Sequence, residues 1–92
     1  MINRLVIDVL IPHDPDVLEY AKKLAELDGV EELTVRVVEI DDRTKTLEMS
    51  ISGRDLSFEE VSKAIEEIGG SIHSIDEVSA RSSGGSGDEG GR

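Results

Sequence analysis

The chain has 92 residues, with 10 Lys or Arg against 21 Asp or Glu and a formal net charge of −11; the length fits one domain, and the charge repels nucleic-acid phosphates and anionic headgroups. No cysteine is present, which excludes disulfides, thiolate zinc sites, iron–sulfur clusters and cysteine nucleophiles. Hydrophobic residues make up 37% of the chain and recur periodically with no run long enough for a membrane span, so a folded, soluble protein is expected.

In chain order, Leu5, Ile7, Val9 and Ile11 alternate with Arg4, Val6, Asp8 and Leu10, the period of two that marks a strand. Pro12 ends it. Asp14 followed by Pro15 reads as an N-cap with proline at the first helical position. A helix over about 15 to 28 follows, with Val17, Ala21, Leu24 and Leu27 as its stripe, Leu18 and Ala25 beside it, and Gly29 as the stop. Residues 32–40 and 45–51 alternate again. The short polar segment Asp41-Asp42-Arg43-Thr44 between them suits only a hairpin turn. Ser57-Phe58-Glu59-Glu60 reads as a capping box opening a second helix whose stripe is Phe58, Val61, Ala64, Ile65 and Ile68, ended by Gly69-Gly70. In the last segment, 71–80, Ile72, Ile75 and Val78 recur every three residues, which predicts a strand with a bulge.

The order β-α-β-β-α-β is that of the ferredoxin-like α+β fold: a four-stranded antiparallel sheet, ordered strand four, one, three, two, with both helices on one face. Residues 1–81 form the expected domain. Residues 82–92 contain five Gly, three Ser and no apolar residue, the composition of a flexible linker. The start of the chain runs straight into a strand pattern, so no signal peptide is expected and the cytoplasm is the expected compartment.

This topology gathers His13, His73, Asp14, Asp16, Asp41 and Asp42 toward one rim of the sheet. Imidazole with carboxylates suits a divalent cation. Capping explains Asp14 and Asp16 equally well, and turn preference explains Asp41 and Asp42. Strands about 4.8 Å apart also put the hairpin acids some ten Å or more from His73. On the sheet face away from the helices fall Val6, Asp8, Glu48, Thr34, Arg36 and Val38, a mix of apolar and charged groups suited to contact with another copy. The second strand is an edge with no proline, which invites pairing. The only aromatics, Tyr20 and Phe58, lie in helices, so no base-stacking sheet surface is expected. No Ser stands in a G-x-S-x-G elbow, and catalysis has no positive support.

Ile11-Pro12-His13-Asp14-Pro15, Glu39-Ile40-Asp41 and Gly69-Gly70-Ser71-Ile72-His73-Ser74-Ile75-Asp76-Glu77-Val78 resemble the small archaeal family catalogued as domain of unknown function 211, over about residues 2 to 80. The resemblance implies a ferredoxin-like fold, multi-subunit rings and no established activity. If its pattern marks a site, the matching positions are His13, Glu39, Asp41, His73, Asp76 and Glu77. The expectation is a homo-oligomeric, non-catalytic binding or regulatory module taking a divalent cation or small ligand at the rim, with no other cofactor. A ring-forming scaffold without ligand is the alternative, and a metal-dependent hydrolase a third.

Overall fold

A computed structural model describes residues 1–82 of the chain. The elements follow the expected order: β1 (Ile2–Pro12), α1 (Val17–Ala25), β2 (Val30–Ile40), β3 (Thr44–Gly53), α2 (Phe58–Glu67) and β4 (Ser71–Ala80). Their sheet order is β2-β3-β1-β4, with every neighbouring pair antiparallel. This is the ferredoxin-like α+β arrangement. Apart from Ser82, the Gly/Ser-rich segment expected to be a linker lies outside the described residues.

The alternation of β1 sends Leu5, Ile7, Val9 and Ile11 under the helices, where all are buried beside Leu47, Met49 and Ile51 of β3. From above, Leu24 of α1 and Val61, Ala64 and Ile65 of α2 close the core, and Tyr20 joins them fully buried. The helices have nine and ten residues, about 14–15 Å each, whereas strands of ten or eleven residues run roughly 35 Å. Short helices cannot cover so long a sheet. At the end of β2 this leaves Val37, Val38 and Ile40 exposed by 39%, 52% and 64%.

The three-residue spacing in β4 has a structural cause. Ile72 pairs with Val9 and Ser74 with Asp8, leaving His73 as an extra residue; Ile75 pairs with Ile7 and Glu77 with Val6, leaving Asp76 as another. Each extra residue restores the phase. Ile72, Ile75 and Val78 consequently stand opposite Val9, Ile7 and Leu5, all core residues.

Three local expectations change. Asp16, not Asp14, is the N-cap of α1: its dihedrals are extended and its Oδ1 accepts from the Val17 amide at 2.6 Å, so helical geometry begins two residues after Pro15. The helix also stops at Ala25, capped by the amide of Glu26. Gly29, at φ +87°, instead shapes the entry to β2, where the Arg54 amide donates to its carbonyl at 2.8 Å. Leu18, expected beside the first helix stripe, and Phe58, expected in the second, are 64% and 36% exposed. The second helix ends as anticipated: the Gly70 amide donates to the Ile65 carbonyl and the Gly69 amide to that of Glu66, the Schellman pattern, with Gly69 at φ +100°.

Candidate functional site

At the hairpin end of the sheet, β1 runs out at Pro12 and the loop to α1 passes beside the β2–β3 turn. The Asp41 amide closes that turn on the Thr44 carbonyl at 2.8 Å. His13 Nε2 then lies 2.7 Å from the Asp41 carbonyl; a carbonyl only accepts, so Nε2 is the donor. His13 and Asp41 are thus brought together at the rim. Asp14, Asp16 and Asp42 share the neighbourhood as exposed loop residues, with Asp16 already engaged as a cap.

The other candidates do not join them. His73 sits at its bulge level with Asp8 and Val9, three to four positions short of Pro12, roughly 10–13 Å along the strand. Glu39 is exposed on β2 opposite Thr46, just beyond an extra residue at Val38. Asp76 belongs to the open face, where the Ser74 hydroxyl donates to its Oδ1 at 2.9 Å. Glu77 accepts from Arg4 Nε at 3.1 Å. Among the described residues, no group of three or more His, Asp or Glu side chains is placed to hold a metal ion.

The open face carries its own electrostatics. Asp8 pairs across β1 and β3 with Glu48, and Glu48 pairs across to Arg36 on β2. Desolvation pushes the Asp8 carboxyl above its ordinary value; Asp76 raises it further by charge and hydrogen bonding, the Ser74 hydroxyl partly offsets this, and Glu48 adds a smaller push. Arg36 Nε reaches Glu48 Oε1 at 3.9 Å in a largely exposed pair, which contributes about 0–1 kcal/mol. This pair forms within one chain. Of the face residues expected to meet another copy, Thr34, Arg36 and Val38 are exposed and Asp8 and Glu48 half-buried, whereas Val6 is only 8% exposed and has little surface to offer.

Sequence reasoning missed the opposite end of the sheet. There the start of β1 and the ends of β3 and β4 enclose a cavity of about 510 Å³, lined in part by Arg4, Arg54 and Arg81. These arginines are far apart in sequence, and no local motif joins them. The available signal was the register itself, which places Arg4 between Ser52 on β3 and Ser79 on β4.

The family model DUF211, described as "Uncharacterized ArCR", matches residues 3–83. A relative from Methanocaldococcus jannaschii, the uncharacterized protein MJ0319, is 43% identical over 79 residues, covering 86% of this chain and 81% of the relative.

Proposed function

The chain belongs to the DUF211 family, and from that premise we propose that it is a non-catalytic module that works as an assembly of its own copies, joined through the β2 edge of the sheet. The bare edge carries this reading. Between the extra residues near Glu31 and Val38, the run from Glu32 to Val37 keeps regular register with β3 on one side and, among the described residues, has no strand on the other. Arg36 is the one charged side chain between Glu32 and Val37. An unpaired row of amides and carbonyls beside exposed Val37, Val38 and Ile40 is a template for another chain. An 82-residue folded unit also gains from a partner, because so small a core buries little of its surface alone.

A ring-forming scaffold is the second reading, and one feature favours it. The two edges of the sheet are unlike: β2 offers Val37, Val38 and Ile40, while β4 offers Ile75 and Val78, 49% and 48% exposed. Contact between unlike surfaces repeats head to tail, and such repeats close into rings when the rotation allows. A cation or small ligand at the rim belongs to either reading as a site completed between copies, since among the described residues one chain joins His13 to Asp41 there but forms no group of three or more such residues able to hold a metal ion. No described helix is long and apolar enough to cross a membrane; with no cysteine, the reducing cytoplasm is the compartment we propose.

Sedimentation velocity over a concentration series tests this. The native chain is expected to sediment as a defined oligomer and the double variant Val38→Lys, Ile40→Lys as a monomer. A native chain that stays monomeric at tens of micromolar overturns the reading.

A further inference from the structure

We propose that the cavity at the β1-start end of the sheet binds a small organic oxyanion, a phosphomonoester or a polycarboxylate, through Arg4, Arg54 and Arg81. The site lies at the far end of the sheet from the histidine rim and is independent of assembly through β2.

Charge is the first argument. Acidic residues outnumber basic ones 21 to 10, yet three of the chain's six arginines line this one cavity, against two lining carboxylates, Glu31 and Asp55. Guanidinium forks match carboxylate and phosphate oxygens in a planar, bidentate way that lysine cannot. All four lysines lie elsewhere.

Preorganisation is the second. Arg4 Nε is held by Glu77 at 3.1 Å and its Nη1 donates to Ser52 Oγ at 3.3 Å, so the guanidinium spans three strands. The Arg54 amide is tied to the Gly29 carbonyl at 2.8 Å, and the Arg81 amide to the Met1 carbonyl at 2.8 Å. Their backbones are therefore fixed at the cavity mouth. Both side chains are exposed, and among the described residues neither makes an ion pair. At Arg54 and Arg81, binding an anion therefore breaks no ion pair formed among the described residues.

The third argument is the polar wall and the size of the cavity. Asn3 contributes to the lining. Ser79 adds a hydroxyl at the wall. The volume, about 510 Å³, falls in the range of small-molecule sites, roughly 300–1,000 Å³.

Isothermal titration calorimetry of the full chain with glycerol 3-phosphate and with citrate, against sodium chloride at matched ionic strength, tests the site. At least one organic anion is expected to bind with a millimolar or tighter Kd while chloride gives no signal; the arm that responds identifies the phosphate or the carboxylate class. The double variant Arg54→Ala, Arg81→Ala is expected to weaken that binding at least tenfold. If the double variant does not fold, the single variants Arg54→Gln and Arg81→Gln carry the comparison. Absence of binding by both anions, or equal binding by the native chain and the variants, overturns the proposal.

Discussion

The hydroxyl of Tyr20 donates to the carbonyl of Ile68 at 2.9 Å, joining the buried middle of α1 to the last turn of α2. The Ile68 carbonyl is among those a helix end leaves without an internal partner, so the tyrosine completes the cap from across the core. Replacing Tyr20 by Phe keeps the ring and orphans that carbonyl, and the expected loss is about 1–2 kcal/mol, read from urea unfolding. Burial also pushes the phenol above its ordinary value of 10.0. A raised pKa gives stability that is present below pH 10 and lost as pH rises through the folded value, because the unfolded chain ionises first. Stability of the native chain should therefore fall above pH 10, and Tyr20→Phe should flatten that fall.

Asp8 faces Glu48 directly across β1 and β3, with Asp76 beside it. Like charges directly opposed on a sheet cost about 0.2–1 kcal/mol, so Asp8→Asn should stabilise the protein by an amount in that range at pH 7 and low salt. The sign in pH follows from the raised carboxyl: folding gains from its protonation, a gain present below the ordinary value of 3.8 and lost as pH rises through the raised one. Denaturation curves of the two proteins should accordingly converge near pH 3.5 and separate at neutral pH. Added salt should narrow the difference.

Gly53 ends β3 where β2 begins. A Cβ built on it would fall onto the carbonyl oxygen of Gly29, a backbone atom that cannot swing aside. Gly53→Ala should cost about 1–3 kcal/mol and, because Gly53 also lines the arginine cavity, should weaken binding of whichever anion responds there. Thermal unfolding and calorimetry on one preparation check both effects. An unchanged melting temperature would mean that the two strands do not approach this closely.

Particular residues show why the fold was legible and the site was not. The spacing of Ile72, Ile75 and Val78 is local and pointed to a bulge; the strand has two, at His73 and Asp76, since a strand that keeps every third residue opposite the core positions of β1 has to add one residue each time. The Gly69-Gly70 stop was equally local. The start of α1 was not, because Asp14 and Asp16 are both acceptable caps and only the loop's path from Pro12 selects Asp16. Tyr20 was legible as helical but not as core, since its burial depends on α2 arriving overhead. Convergence at the rim was overestimated: both histidines lie near strand ends in sequence, yet the strand rise separates His73 from His13 by several positions. Arg4, Arg54 and Arg81 meet only through the pairing of three strands, and composition in an acidic chain pointed away from them.

Native mass spectrometry of the untagged chain, beside the Val38→Lys, Ile40→Lys variant and before and after chelator treatment, tests assembly through β2 most directly, since it counts subunits and retained ligand mass together. The expected result is one defined oligomer for the native chain and the single-chain mass for the variant; chelator-sensitive excess mass would add an intersubunit cation at the His13–Asp41 rim. A native chain found only at its single-chain mass, or a variant that keeps the native subunit count, would contradict it.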